Sequence, residues 1–463
     1  MRSCLVLCLV AGCAAPLPIH DQTWLLKHVA GRFDEIYVTK GDPDPTRDLG
    51  LVRPRLGLPA LAKLDGNFEL LVIERGKPAS LHAHLVQGTV ELPLILTRLT
   101  EEPLDAQSRA VRYQARVDAT APPGPYDLVL APDGDRPTRT PRAVWLYTDD
   151  PAAPRPLRLA QLNDLHIGKH VADLESRLRQ VFVEINAAHP DAVLITGDLA
   201  NLGSVDEERR VASLVAGLDA PVFVVPGNHD LGFDSFTRVT YGPGWAHFAH
   251  AFHALLSYEV TLGGWQLIGF DSGPSTFSPR VQTRGISPDS VAALKATFTQ
   301  ALSDGKRGVV LFSHAPTRAT LKGDGIGIFG NMRNGGPALE RAMLTTATDQ
   351  FPILHVAGHT HWSDVFERGS DGNFHRWPSL SACNKPLGNA ALVTTQAAAH
   401  SGLPFKDNAR GWGFTVINLD HTAEVAFRRF GLDADWVCPA VSASAAAPTR
   451  PPTPPHAQQD HWQ

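Results

Sequence analysis

After residue 156 the chain settles into a repeated pattern of compact apolar runs, short polar strings and amphipathic stretches such as 173–188. The apolar runs occupy 157–163, 192–196, 222–225, 266–270, 309–313 and 353–357, each of strand length. Buried strands alternating with helices specify a layered α/β architecture. Five of the runs end in a string of metal-type residues: Asp164-Leu-His166, Gly197-Asp198-Leu-Ala-Asn201, Gly227-Asn228-His229-Asp230, His314, and Gly358-His359-Thr-His361. In open α/β sheets, ligands gather outside the carboxyl ends of the strands, so the five strings are expected to converge on one site.

Taken singly, each string is ordinary. Asp-x-His is frequent by chance, His314 alone reads as a core histidine, and Gly-Asn-His-Asp reads as a turn, because Asn and Asp favour turns. All five in order, with glycines where the backbone must turn tightly, are not ordinary. Carboxylate, imidazole and amide donors without thiolate suit divalent Mn, Fe or Zn. More than four such residues implies two ions, and a pair about 3.5–4 Å apart stabilises both the attacking and the leaving oxygen at phosphorus.

The ordered set resembles the calcineurin-like metallophosphoesterase family over roughly 157–430. The resemblance implies that Asp164, His166, Asp198 and His361 hold one ion, that Asp198, Asn228, His314 and His359 hold the second, and that Asp198 bridges them. It also implies that His229 contacts the phosphate and protonates the leaving group, with Asp230 behind it as the orienting carboxylate. Purple acid phosphatases carry a tyrosine where Asn201 stands and lack the histidine at position 166. Protein serine/threonine phosphatases continue the second motif with Asp-Arg-Gly, where this chain has Asn201-Leu-Gly, and end the third in glutamate, where it has Asp230. The remaining pattern resembles the broad group that contains bacterial cyclic-nucleotide phosphodiesterases. The expected reaction is therefore direct hydrolysis of a small phosphomonoester or phosphodiester by a two-metal-activated hydroxide, with no covalent phospho-enzyme. A non-catalytic, surface-anchored binding or scaffold protein on the same fold is the alternative. Against it stands the occupation of every ligand position. Metal identity, ester class and oligomeric state stay open.

The rest of the chain reads more plainly. Met1-Arg2 and a short apolar run lead into Leu9-Val10-Ala11-Gly12-Cys13, which resembles a bacterial lipobox with Cys13 as the lipidated residue. A plain secretory peptide cut near Ala14 or Ala15 is the alternative. Either way the protein is exported, as a cell-envelope lipoprotein held to the membrane by its lipid or as a secreted protein. Short segments rich in β-branched and apolar residues (68–74, 81–86, 90–99, 110–117, 126–131, 143–147) predict a smaller all-β, immunoglobulin-like sandwich over 20–150, read as a spacer or docking module. It could also recruit envelope lipid or polysaccharide phosphates as substrates. The proline-rich stretch 149–156 marks the boundary, the phosphoesterase domain is expected over 157–432, and the Pro/Ala-rich tail 440–463 is expected to be disordered. Whether Cys383 and Cys438 pair is open. A net charge of -5 offers no basic field, so nucleic acid is not an obligate partner. The glycine-rich loop 315–338 reads as a substrate wall, with Arg333 as either a phosphate contact or a solvated surface arginine. Asp271 reads as a turn residue or a support to a ligand. His247, His250, His253 and His355 match no motif position and read as packing or solvent-facing residues.

Overall fold

The computed structural model describes residues 21–430 apart from 39–48, 77–79, 118–119, 134–135, 172, 232–242, 274–275, 279–280, 284, 319–330, 333, 362, 378–385, 396 and 399–411. The segment read as an export signal, with Cys13, and also Arg333, most of its glycine-rich loop, Cys383, Cys438 and the tail 440–463 lie outside the described residues.

In the first half, nine strands form two sheets: β1 (Leu49–Arg53), β2 (Ala60–Lys63), β3 (Asn67–Arg75), β4 (Leu81–Gln87), β5 (Val90–Pro93), β6 (Ile95–Pro103), β7 (Ser108–Arg116), β8 (Gly124–Pro132) and β9 (Thr138–Tyr147). Their orders are β1-β3-β7-β6 and β2-β9-β8-β4-β5. The expected run 90–99 is two strands, one in each sheet, with the buried Leu94 at the crossing. Alternation along β3 explains how the sandwich is buried. Phe68, Leu70 and Val72 enter the core between the sheets with Leu85, Leu128 and Val144, whereas Leu71 and Ile73 point the other way and join a different apolar cluster.

That second cluster corrects two expectations for residues 20–150. Gln22–Gly31 and Phe33–Tyr37 are helices, so the all-β pattern begins only at Leu49. Asp21 caps the first helix, its carboxylate accepting from the Trp24 N–H at 2.9 Å. Leu25, Leu26 and Val29 form the helix's buried stripe, and with Phe33 and Ile36 they pack in one cluster with Trp245, Ala246 and Ala249 of helix Pro243–Ala251. The first half is therefore built into the apolar core of the second and is not a detached spacer.

The second half holds β10 (Leu157–Leu162), β11 (Ala192–Thr196), β12 (Val222–Val225), β13 (Ser257–Leu262), β14 (Trp265–Phe270), the hairpin of β15 (Thr276–Ser278) and β16 (Val281–Thr283), β17 (Gly308–Ser313), β18 (Ile353–Ala357), β19 (Asp364–Arg368), β20 (Phe374–Arg376), β21 (Ala390–Thr394), β22 (Trp412–Leu419) and β23 (Ala423–Phe430). Besides the hairpin, the described strands form two sheets, in the orders β12-β11-β10-β22-β23 and β13-β14-β17-β18-β21-β19-β20. In the first of them Leu159, Leu194, Phe223 and Val225 share a cluster with Leu267, Val309 and Leu354 of the second sheet. Their neighbours Ala160, Leu162, Val193, Ile195 and Val224 face helices Leu174–Ala187 and Val205–Val215. The architecture is a layered β-sandwich flanked by helices, preceded by the smaller strand-rich part. The five ligand-bearing strands are divided three and two between facing sheets, so their strings meet where two sheet edges come together and not along one.

Candidate metal centre

Three of the five strings leave their strands through a backbone conformation that side chains with a Cβ seldom adopt. Asp164, His166, Asp198, His359 and His361 have φ of 52°, 48°, 54°, 68° and 54°, a left-handed geometry that costs about 1–3 kcal/mol at each residue. Hydrogen bonds between strings hold it. Asp164 N–H donates to the Gly197 carbonyl at 2.9 Å, His166 N–H to Asp198 at 3.0 Å, and Gly358 N–H to His314 at 2.9 Å. Space is as tight as the torsions. A Cβ on Gly197, itself at φ 80°, would stand 2.7 Å from Gly227 N and 2.8 Å from His314 Cβ, and one on Gly227 would collide with the Asp198 carboxylate. Gly227→Ala is accordingly expected to cost about 1–3 kcal/mol, the usual penalty of overpacking, and to lower bound metal more than a surface Gly→Ala control. Thermal unfolding beside metal analysis checks this, and unchanged metal content would refute it.

The side chains then converge. Asp198 Oδ2 lies 3.3 Å from His314 Nε2, 3.7 Å from His166 Nε2 and 3.9 Å from His229 Nε2. His314 Nε2 is also 3.1 Å from Asn228 Oδ1 and 3.0 Å from His359 Nδ1. Asp164 Oδ1 lies 3.0 Å from His361 Nε2 and 3.7 Å from His166 Nε2. Three sets place one ligand atom per residue within 4.8 Å of one another: Asp164, His166, His361; His166, Asp198, His229; and Asp198, His314, His359. All seven residues expected to bind metal are thus brought together, with Asp198 shared between sets.

Both carboxylates divide their oxygens in the same way. Asp164 Oδ2 accepts from the Asn163 side-chain amide and from the His359 N–H at 2.9 Å. Asp198 Oδ1 accepts from the His229 N–H at 2.9 Å. One oxygen of each is held by protein donors, and the other faces the histidines.

This donor set fits divalent cations. His314 Nδ1 donates to the Thr196 carbonyl at 2.9 Å, which turns Nε2 toward Asn228 Oδ1 and Asp198 Oδ2. An imidazole nitrogen, an amide oxygen and a carboxylate oxygen converging without a thiolate are the donors a borderline divalent ion takes. Asp164 and Asp198 are almost fully buried, and among the described residues neither is paired with Lys or Arg. Burial, the largest influence, pushes both carboxyls up, yet His361, His166 and His314 around Asp164, and His314, His229 and His166 around Asp198, hold both well below the ordinary carboxylate range. Burial and then the His229 charge bring His166 down to about 4, which keeps its imidazole neutral and able to ligate.

His229 stands beside Asp198, and its neighbour Asp230 is turned elsewhere. His229 Nδ1 donates to the Asn201 carbonyl at 2.5 Å, so a backbone oxygen orients the ring. Asp230 points away from it. Its Oδ1 accepts from Ala200 N–H at 2.9 Å and its Oδ2 from Gly227 N–H at 2.7 Å. Asp230 thus ties the second string to the third, while the His229 Nδ1 it was expected to orient is engaged by the Asn201 carbonyl. Burial and then the Asp198 charge push Asp230 up to about 7.

The histidines outside the motifs support structure. His250 Nδ1 donates to the Ile36 carbonyl at 2.7 Å, His253 Nε2 to Val224 at 3.0 Å and His247 Nδ1 to Gly203 at 2.8 Å, while His355 Nε2 stands 2.9 Å from the Ser313 hydroxyl. Asp271 accepts from Gly273 N–H at 3.0 Å, a turn contact. Missed from the sequence were Asn163, the donor to Asp164, and the Asn201 carbonyl. Asn163 had a signal in its polar character at the end of an apolar run; a carbonyl has none.

Comparison with known proteins agrees with this geometry. Residues 157–363 match the calcineurin-like phosphoesterase family model. A probable cyclic nucleotide phosphodiesterase of Rhodopseudomonas palustris is 37% identical over 81 residues, 16% of this chain and 30% of that protein. Another, from a Synechococcus strain, is 26% identical over 223 residues, 46% of this chain and 76% of that protein. The match thus spans less than a third of the first relative's length. In fold the chain is similar to a purple acid phosphatase from yellow lupin seeds, with a TM-score of 0.50 at 12% identity, covering 81% of this chain and 76% of that one. That coverage is more than residues 157–430 account for, so the likeness of fold reaches into the first half.

Proposed function

We propose that the chain, with a calcineurin-like phosphoesterase domain at 157–363 as its chemical part, is a metal-dependent hydrolase of a small phosphate ester, in the manner of the cyclic-nucleotide phosphodiesterases. The observation that carries this reading is the convergence of His166, His314 and His229 on the one free oxygen of Asp198, flanked by Asp164, His361, Asn228 and His359. Asp164, His166, Asp198 and His361 would hold one divalent Mn, Fe or Zn ion, and Asp198, Asn228, His314 and His359 a second. When bound, such a pair supplies Lewis-acid neutralisation of the phosphate charge and a water acidified toward neutral pH.

The chain's own residues set the rest. With its Nδ1 proton engaged by the Asn201 carbonyl, His229 can give up a proton from Nε2 only as imidazolium. The proton on Nε2 passes to the departing oxygen as the ester bond breaks. His229→Ala should lower turnover about 100-fold or more for an alkyl ester, which leaves poorly, and much less for a nitrophenyl ester, which needs no proton. Equal losses on both would remove His229 from the role of acid.

The decisive test of the whole reading is metal analysis of the purified protein beside a panel of phosphate monoesters and diesters, with Mn, Zn or chelator. About two ions per chain with chelator-sensitive turnover supports it, whereas neither metal nor turnover after reconstitution returns the chain to the scaffold alternative. Export with a lipid at Cys13 belongs to the same proposal. Labelled fatty acid incorporated by the wild type and not by Cys13→Ser would support it.

A further inference from the structure

Beneath the candidate ligands, in a region that is otherwise apolar, runs a closed polar circuit that no motif contains. Gln161, Asn163, Thr196, Thr395 and Thr415 are fully buried. Gln161 Nε2 donates to Thr196 Oγ1 at 2.9 Å and to the Ala357 carbonyl at 3.1 Å. Gln161 Oε1 accepts from the Thr395 hydroxyl, which lies 2.5 Å from the Thr415 hydroxyl and, having given its proton to Gln161, accepts from it. Thr196 Oγ1 donates in turn to the Leu162 carbonyl at 3.3 Å. Asn163 Nδ2 faces two acceptors, the Thr395 carbonyl at 3.1 Å and Asp164 Oδ2, which fixes the orientation of its amide.

The circuit crosses between the sheets. Gln161, Thr196 and Thr415 stand on β10, β11 and β22 of one sheet, whereas Ala357 ends β18 and Thr395 follows β21 in the other. It does so where each sheet delivers ligands. Thr196 carries the carbonyl that orients His314, and Ala357 leads into Gly358 and His359. Apolar side chains would fill the same space without a requirement for direction, because dispersion and hydrophobic burial leave sliding nearly free. Hydrogen bonds among buried groups fix one arrangement, since leaving any member unpaired costs about 1–3 kcal/mol.

We propose that Gln161, Asn163 and Thr395 are positioning residues of the metal centre: they lock the two sheets at the ligand-bearing edge and reserve Asp164 Oδ1 for the ion. The inference rests on the reading of this site as a metal centre, and its test separates the two. Cobalt(II) is titrated into metal-free wild type, Thr395→Val, Thr395→Ser and Asn163→Ala, with affinity by calorimetry, the visible absorption of the bound ion, and the melting temperature of the metal-free forms. Thr395→Val keeps the shape and loses the hydroxyl. It is expected to weaken cobalt about 10-fold, the lower end of what loss of a ligand's direct outer partner costs, because the hydroxyl holds Gln161 and not a ligand, and to shift the absorption bands, while Thr395→Ser keeps wild-type affinity and bands. Asn163→Ala is expected to behave as Thr395→Val does. Wild-type affinity and bands in both Thr395→Val and Asn163→Ala, whatever their melting temperatures, would overturn the inference and leave the metal centre standing. No cobalt bound by the wild type would overturn the metal centre and this inference with it.

Discussion

Asp198→Asn is expected to empty the centre and to lower turnover by at least roughly 100-fold, the upper end of what the loss of a mere outer partner costs. His166, His314 and His359 each share a set of converging ligand atoms with this carboxylate. Its Oδ2 stands 3.3 Å from His314 Nε2 and 3.7 Å from His166 Nε2, on the two sides of the site, so removing its charge weakens both proposed positions at once. The amide is close in shape, and its oxygen can still accept from His229 N–H as Oδ1 does now at 2.9 Å, so the third string keeps its anchor. The expected result is therefore a folded protein with less than one ion per chain where the wild type has about two, read by far-UV circular dichroism and plasma mass spectrometry. Wild-type metal content in Asp198→Asn would remove Asp198 from its bridging role. By contrast, His361→Ala touches only the Asp164 side, where His361 Nε2 lies 3.0 Å from Oδ1, and should spare one of the two positions.

The contrast between what was legible in the sequence and what was not has a physical pattern. The six strands read in the second half match almost to the residue, 192–196 and 353–357 among them, because strands buried on both faces appear as apolar runs closed by Gly or Asp, whereas β13 and β19 to β23 were not read. Ligand positions were legible for the same reason, since each follows directly from a strand end. Assignment of those strands to two facing sheets was not legible, because β10 and β17 carry the same kind of run and nothing local distinguishes their partners. Helices 22–37 are short and lie ahead of the strand-patterned segments, so only Leu25, Leu26 and Val29 mark them by helical spacing. The role of Asp230 was misread from adjacency: next to His229 in sequence, its side chain turns back toward Gly227 and Ala200. Gln161 was the overlooked clue, a polar residue in the middle of a buried apolar strand that packs against both sheets.

A chain beginning at Pro151 is expected not to fold as a soluble monomer, although the sequence places a domain boundary there. Leu25, Leu26, Val29, Phe33 and Ile36 are all buried in the cluster they share with Trp245 and Ala249, and burying side chains of this size is worth about 1.5–3 kcal/mol each. Five of them amount to roughly 7–15 kcal/mol, as much as the whole stability of a typical domain. The loss is not only apolar. β12 is the edge of its sheet, and its Val224 N–H donates to the Gly57 carbonyl at 2.9 Å, so the loop before β2 covers an edge that would otherwise be open to pairing with another chain. Arg55 reaches the His250 carbonyl and Arg142 the Leu218 carbonyl, each at 2.5 Å. Helix Pro243–Ala251, held by the Arg55 contact, in turn holds the Gly203 carbonyl through His247 at 2.8 Å, close behind the second string. Removal of the first half should therefore loosen the metal centre as well as expose apolar surface. Size-exclusion chromatography and circular dichroism of the truncated chain are expected to show aggregate or a non-cooperative melt. A monodisperse, cooperatively melting fragment with wild-type metal content would instead show that the first half is the separable module its sequence suggests.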